Sequence, residues 1–185
     1  MRGRDKLLEV VDNQPLIRRQ ADRARAATSG PVFVMLPAEG NHRRSALSGC
    51  DVQIIPVPDA NTGMAASLRC GISALPEDAT AAMILLADLP DLTQSDIEAV
   101  GSCVDTASDT LIWRGATDAG APGHPIVFAR PLFAALSALQ GDTGGAAVAK
   151  AHAHQTILIP LPGQNARRDL DTPEDWDDWR AEHPR

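Results

Sequence analysis

The sequence predicts an α/β fold built on a mostly parallel, doubly wound sheet with one antiparallel excursion. Strand-like apolar runs alternate with helical patterns along most of the 185 residues, as expected of a parallel sheet. Two strand-like runs, 110–113 and 126–128, follow each other without a helix between them, so we expect the antiparallel excursion there. The apolar run 82–87 does not alternate with polar residues, which favours a strand buried on both faces at the centre of the sheet.

The elements are predicted in order from apolar spacing and turn residues. The strand-like runs cover residues 32–36, 52–57, 82–87, 110–113, 126–128 and 156–161. The first helix follows Gln14-Pro15, because proline favours the first helical turn and the next apolar residues have a 3.6-residue spacing. The same spacing predicts helices over residues 64–75, 95–104, 130–139, 145–152 and 173–182.

Composition indicates a single domain over residues 1–185 with a small-molecule partner. The chain is 44% hydrophobic, enough for one sizeable core, and it is too short for two ordinary domains. Its net charge is −7, and no block of Lys or Arg exceeds two adjacent residues. The basic footprint of a protein that binds nucleic acid or an anionic membrane is therefore missing. No apolar stretch approaches the ~20 residues that span a bilayer.

The cysteines indicate a reducing compartment. Cys50, Cys70 and Cys103 form no CxxC pair, and their number is odd. No hydrophobic segment follows the charged N-terminus, as it would in a signal peptide. We therefore expect a cytoplasmic protein whose thiols are buried and not catalytic.

Asp88 ends the most apolar run of the chain and is the first candidate site residue. Ligands of open α/β sheets bind just outside the carboxyl ends of the strands, so this carboxylate would lie where a divalent cation and phosphates bind. The alternative is structural: an Asp or Thr93 caps the next helix, and Pro90 only stops the strand. The motif alone leaves both interpretations open.

Two further segments suggest ligand contacts. Gly63 and Ser67 would place free amides and a hydroxyl at a helix start, with Arg69 in the first two turns, although an ordinary loop entering a helix explains them better. His124 stands in the turn GAPGHP at 120–125, whose prolines and glycines restrict the backbone more than an incidental loop requires. A lone histidine is nevertheless more often structural.

Asp169 and Asp171 alternate on an extended segment, so one can point inward while the other caps the helix that Pro173 begins. Together with Asp88 they make an oxygen-ligand site for Mg²⁺, which takes one or two carboxylates and adds water and substrate phosphate. The alternative is that Thr172 or Asp171 is simply an N-cap.

Six segments, taken together, resemble the MobA-like nucleotidyltransferases in order and spacing. They are DKLL at 5–8, GMAASLRCGI at 63–72, LADLPDLT at 86–93, GHPIVF at 123–128, GDTGG at 141–145 and DLDTPEDW at 169–176. Within that family the chain looks most like the molybdenum cofactor cytidylyltransferases. The resemblance runs from the first residue to about Trp176.

The resemblance implies a Rossmann-like sheet of the nucleotide-diphospho-sugar transferase type and a transfer of CMP from CTP to molybdopterin, releasing pyrophosphate, with Mg²⁺ as cofactor. Such a transfer needs positioning for in-line attack and neutralisation of phosphate charge. By the motif match, Asp88 is a catalytic Mg²⁺ ligand and Lys6 is the catalytic cation at the triphosphate. Asp171 is the second carboxylate, with Asp169 as its alternate.

The motif match also assigns binding residues and partners. Those facing the nucleotide or the acceptor are Gly63, Ser67, Arg69, Asp142, Gly123 and His124, of which the last two face the pterin-bearing acceptor. The implied partners are CTP, a molybdopterin-type acceptor, and a molybdoenzyme or its maturation chaperone.

The chain departs from the family at its N-terminus. In the family, a strand and a glycine-rich loop of the form LAAGxSxRM precede the lysine, and Met1 matches the last residue of that pattern. We therefore expect an N-terminally truncated domain, the alternative being a divergent member that holds a triphosphate poorly. Loss of that strand would leave unpaired edges on the strands near 32–36 and 82–87.

Two other functions stay open at this stage. The same carboxylates serve any Mg²⁺-nucleotide substrate, so the acceptor could be a sugar phosphate or another small phosphorylated alcohol. From a different class, the chain could be a non-catalytic domain that binds the acceptor or a partner protein.

Overall fold

A computed structural model describes residues 5–40 and 42–183. The strands are β1 Val10–Val11, β2 Gln14–Pro15, β3 Phe33–Pro37, β4 Gln53–Val57, β5 Ala81–Ile84, β6 Ile112–Ala116, β7 Pro122–Ala129 and β8 Thr156–Pro160. The α-helices are α1 Leu16–Ala26, α2 His42–Ala46, α3 Met64–Ser73, α4 Gln94–Ser102, α5 Phe133–Ser137, α6 Gly145–Ala151 and α7 Pro173–Glu182. Short 3₁₀ turns lie at Lys6–Leu8, Ala60–Thr62, Arg130–Leu132 and Ala153–Gln155.

The main sheet has four strands in the order β5-β7-β6-β8. Strand β7 is antiparallel to both β5 and β6, whereas β6 and β8 are parallel, so three strands run one way and β7 runs against them. The predicted α/β fold is confirmed, and so is the antiparallel excursion formed by two strands without a helix between them.

Alternate residues of β6 and β7 support two cores on opposite faces of this sheet. Trp113 and Val127 belong to the core that contains Ile97 and Val100 of α4. On the other face, residues of the same two strands pack against helices α5 and α6, in a core formed by Ile112, Ile126, Phe128, Leu132, Leu136, Val148 and Ala149. The sheet is therefore covered by helices on both faces, as a doubly wound fold requires.

Strands β3 and β4 form a separate parallel pair. In the part of the chain that the structure describes, β3 pairs only with β4, and β5 pairs only with β7. The prediction that 82–87 forms a central strand is therefore wrong in two respects: β5 ends at Ile84, and it is the edge of its sheet. Leu85 and Leu86 are apolar but lie beyond the strand, and both are only half-buried.

Helix α7 packs against β1 and the start of α1. Trp176 and Trp179 pack in one cluster with Val11 and Leu16, which brings the two ends of the chain together. Within residues 5–40 and 42–183, no helix is long and apolar enough to cross a bilayer.

Candidate active site

Lys6 brings two aspartates together that are far apart in the sequence. Its Nζ lies 2.8 Å from Asp88 Oδ2 and 2.6 Å from Asp171 Oδ1. Asp88 is in the loop between β5 and α4, and Asp171 directly precedes the cap of α7. The structure thus places three of the residues predicted from sequence at one point, on the loop side of β5.

Neither Asp88 nor Asp171 is a helix cap. Thr93 caps α4, where its hydroxyl and the Asp96 side chain form a reciprocal capping box. Thr172 and Asp175 form the same box at the start of α7. The capping interpretation therefore holds for the threonines, and the carboxylates of Asp88 and Asp171 both point to Lys6 instead.

The two aspartates stabilise the charged form of the Lys6 ammonium group. Burial alone would lower its pKa, but the hydrogen bonds to Asp171 and Asp88 outweigh this, so the pKa of Lys6 is raised. Lys6 is therefore fully charged at neutral pH. The cation lies between the two carboxylates that would hold a divalent metal ion.

Asp5 and Arg43 fix the short turn that carries Lys6. Asp5 caps this turn by accepting from the Leu7 amide at 3.1 Å, and Arg43 donates to its two carboxylate oxygens at 2.6 and 3.0 Å. Burial tends to raise the pKa of Asp5, but the bonds from Arg43 and Leu7 leave it lowered. The charged form of Asp5 therefore supports the turn at neutral pH.

Side chains of α1 anchor the loop that carries Asp88. Arg19 donates to the Pro90 carbonyl at 2.6 Å, Gln20 to Leu89 at 2.5 Å, and Arg23 to Leu92 at 2.5 Å. Burial lowers the pKa of Arg23 to about 10, so it stays charged at neutral pH. Sequence reasoning missed these supports, because nothing local connects α1 to a loop some 70 residues further on.

His124 lies beside the carboxyl end of β5. Its Nδ1 is 3.3 Å from the carbonyl oxygen of Ile84, the last residue of that strand, so the neutral ring carries its proton on Nδ1. Burial lowers the pKa of His124, and the positive charge of Arg114 lowers it further, while the nearby charge of Asp88 acts in the opposite direction. His124 is therefore neutral at pH 7 and close to Asp88.

Gly123 serves close packing. A Cβ at this position would lie 2.1 Å from the carbonyl oxygen of Ala166, which accepts from the His124 amide at 2.7 Å. The segment that leads to Asp171 is therefore held against β7, and only glycine permits the approach. His124 lies within this strand, which begins at Pro122, so the prediction of a turn just before the strand is wrong.

Replacing Gly123 by alanine should lower the free energy of unfolding by about 2–4 kcal/mol, because the new methyl would collide with backbone rather than with a movable side chain. Denaturant unfolding measures the loss. The matched control is Gly30→Ala, where the nearest atom to a Cβ is the Thr28 hydroxyl at 3.5 Å. Equal stability of the two variants would show that the approach to Ala166 is not a constraint.

A second group of predicted residues meets where α3 begins. Gly63 has a φ of 115°, and a Cβ there would lie 2.4 Å from the Gly141 carbonyl oxygen and 2.5 Å from Asp142 Oδ1. Arg69 donates to the Leu139 carbonyl at 2.7 Å, so its guanidinium holds the same loop, and Ser67 is half-buried. Within residues 5–40 and 42–183, no hydrogen bond or ion pair joins this group to Lys6 or Asp88.

The donor set at Lys6 fits a magnesium ion. Mg²⁺ usually takes one or two carboxylates and completes its shell with water and substrate phosphate, and Asp88 and Asp171 supply that number. In the described ranges, there is no group of three or more His, Cys, Asp or Glu side chains arranged for a metal ion. Asp169, the alternate ligand, is exposed and forms no ion pair with any residue that the structure describes.

The cysteines lie apart from these groups. All three are free thiols, but Cys50 and Cys70 are only half-buried and Cys103 is exposed, so the prediction of buried thiols is wrong. Burial and the neighbouring Asp22 raise the pKa of Cys50, which keeps this thiol protonated and weakly nucleophilic.

Replacing Cys50, Cys70 and Cys103 together by alanine should therefore leave the rate of any transfer reaction within about two-fold of the unmodified protein. The rate is compared in samples shown by circular dichroism to be folded. A large loss of rate in the folded variant would mean that a thiol takes part in the chemistry.

Fold and site define an α/β domain of the class that binds ligands outside the carboxyl ends of its strands. The chain belongs to the MobA-like NTP transferase domain family, whose family model matches residues 1–156. The predicted resemblance to MobA-like nucleotidyltransferases is thereby confirmed. No curated protein sequence matches the chain significantly.

Solved structures share the fold. Rv0371c from Mycobacterium tuberculosis H37Rv has a TM-score of 0.81 and 24% identity, over 96% of this chain and 89% of that chain. A second structure of Rv0371c, in complex with manganese, has a TM-score of 0.77 and 23% identity over 94% and 89%. CMP:2-keto-3-deoxy-manno-octonic acid synthetase complexed with CTP has a TM-score of 0.73 and 12% identity over 96% and 91%.

Proposed function

We propose that this protein transfers CMP from CTP to a molybdopterin-type acceptor and releases pyrophosphate, with Mg²⁺ as cofactor. The observation that carries the proposal is the meeting of Lys6, Asp88 and Asp171 at 2.6–2.8 Å in a member of this family. The motif resemblance described above supports the choice of the molybdenum cofactor branch. A molybdoenzyme or its maturation chaperone would then receive the product.

The roles of the residues follow from charge. Asp88 and Asp171 would hold Mg²⁺, which when bound neutralises phosphate charge. Lys6 would then release the carboxylates and bind the triphosphate, where a fixed positive charge favours departure of pyrophosphate. His124 is neutral with Nδ1 donating to Ile84, so its Nε2 is free to accept a proton or a hydrogen bond from the acceptor.

Two comparisons support the choice of nucleotide and metal. The synthetase that shares this fold is a complex with CTP, and one Rv0371c structure is a complex with manganese. Manganese and magnesium share a preference for oxygen ligands, which matches the two carboxylates at Lys6.

Pyrophosphate release tests the proposal. The protein is incubated with Mg²⁺, molybdopterin-bound molybdenum and either CTP or GTP, and the product is identified by mass spectrometry. With CTP we expect pyrophosphate and a product in which CMP is joined to molybdopterin. With GTP we expect at least about 10-fold less product. Release that needs GTP, or no release with either nucleotide, would contradict the proposal.

A second acceptor class is tested in the same assay. The synthetase that shares the fold acts on a sugar acid, and the two carboxylates at Lys6 do not themselves distinguish one acceptor from another. Sugar phosphates and other small phosphorylated alcohols therefore replace molybdopterin in parallel reactions. Faster release with one of these would assign the protein to that branch of the same chemistry.

A further inference from the structure

Arg114 is a half-buried cation without a carboxylate partner. It lies on β6, and its Nε donates to the carbonyl oxygen of Gly123 at 2.7 Å. Its two terminal nitrogens form no hydrogen bond with the residues that the structure describes, and neither is sealed from solvent. This leaves the part of the guanidinium best suited to an anion open to a ligand.

Two other basic side chains lie near Arg114. His124 follows Gly123 directly, and Arg167 follows Ala166, whose carbonyl accepts from the His124 amide at 2.7 Å. The positive charge of Arg167 lowers the pKa of Arg114, after the larger effect of burial. In the described ranges, no carboxylate forms an ion pair with either arginine. Three separate segments thus bring basic groups to one place.

Such an arrangement costs free energy unless an anion is bound. Arg114 is half-buried, and burial together with the positive charge of the exposed Arg167 makes its guanidinium harder to keep charged. Most other half-buried arginines that the structure describes form ion pairs, such as Arg19 with Asp12 and Arg43 with Asp5, whereas Arg23 and Arg69 donate only to carbonyls. Arg114 has no such carboxylate, and a ligand anion would supply the missing negative charge.

The position of the cluster links it to the candidate active site. His124 contacts the carbonyl of Ile84 at the end of β5, and the charge of Asp88 acts on the same imidazole. Lys6 approaches Asp88 from the N-terminal turn, whereas Arg114 approaches through His124 and β6. The site therefore has two separate cationic centres.

We propose that Arg114 and Arg167, beside His124, form a subsite for the phosphate group of the acceptor. The inference rests on the proposed function, in which two anionic substrates meet and each needs its own counter-charge. Lys6 and the carboxylate-bound cation serve the triphosphate, which leaves the arginines for the acceptor. A guanidinium fork also matches a phosphate group better than a point charge does.

Direct binding tests the subsite without catalysis. Inorganic phosphate is titrated calorimetrically into the unmodified protein and into the variants Arg114→Lys and Arg167→Gln. CTP with Mn²⁺ is titrated into the same samples. We expect each variant to bind phosphate about 10-fold more weakly and CTP within about two-fold of the unmodified protein. The control, Arg44→Gln, removes an exposed charge on α2 and should change neither affinity.

The outcomes separate the subsite from the proposed function. Phosphate affinity that is absent in the unmodified protein, or equal in all four proteins, would overturn the subsite even if CTP is consumed. An equal loss of CTP affinity would show that the arginines serve the triphosphate, which also overturns it. If Arg114→Lys does not fold, the comparison of Arg167→Gln with the unmodified protein decides the test, and we expect weaker phosphate binding in the variant. If no acceptor gives pyrophosphate, the proposed function fails, whereas the phosphate titration still reports on the subsite.

Steady-state kinetics add a readout that a structural role would not produce. Arg167→Gln should raise the KM for the acceptor about 10-fold and leave the KM for CTP and the melting temperature nearly unchanged. A uniform fall in kcat with both KM values unchanged would contradict acceptor binding.

Discussion

Asp88→Asn is expected to lower nucleotidyl transfer by about 1,000-fold or more while the fold stays intact. Asparagine keeps the size of the side chain and one oxygen but removes the charge that a divalent cation requires. Asp88 caps no helix, and its ion pair with Lys6 is partly exposed, so the free energy of unfolding should change by at most about 1 kcal/mol. Transfer is measured by pyrophosphate release and stability by denaturant unfolding.

Asp91→Asn is the matched control for Asp88, since it lies in the same loop. Asp91 accepts from Trp179 Nε1 at 2.6 Å and is largely buried, so its replacement should affect the packing of α7 rather than the chemistry. We expect lower stability with transfer preserved at temperatures where the variant is folded. Near-normal transfer by Asp88→Asn would remove Asp88 from the catalytic site.

Lys6→Met is expected to separate metal binding from transfer. The ammonium group and a divalent cation compete for the carboxylates of Asp88 and Asp171, because Lys6 Nζ lies within 2.8 Å of both. Methionine removes the competitor, so Mn²⁺ affinity should rise by about 10-fold. Transfer should fall by about 100- to 1,000-fold, since the charge at the triphosphate is lost.

Mn²⁺ binding is followed by electron paramagnetic resonance, and transfer by pyrophosphate release. Lys6→Arg is the comparison variant, because it keeps the positive charge with a different shape and should not raise Mn²⁺ affinity. Unchanged Mn²⁺ affinity in Lys6→Met would show that the lysine does not occupy the metal position. Preserved transfer would show that another group supplies the charge.

Local patterns predicted the elements that have strong local signals. Thr93 and Thr172, which the sequence offered as cap residues, cap α4 and α7, and α7 starts at Pro173 as predicted. Helix α2 was not predicted, since HRRSA contains no buried residue and therefore no apolar stripe. The β1–β2 hairpin was missed as well, although Asp12 and Asn13 are residue types that accept its positive φ angles.

Strand neighbours could not be read from the sequence. The run AAMILL at 81–86 has the composition of a central strand, yet β5 pairs on one side only in the described part of the chain. An apolar run indicates that its residues are buried. Which strands pair with its two edges depends on the rest of the chain.

The sequence by itself determined the alternation of strands and helices, the helix caps and the candidate carboxylates, because each depends on residues within a few positions of one another. Only the tertiary structure showed that Asp171 meets Lys6, across 165 residues, and that Arg114 and Arg167 lie together beside His124. These contacts join segments that are distant in the sequence. Local hydrophobic periodicity predicts helices and strands, but it does not predict which distant segments come into contact.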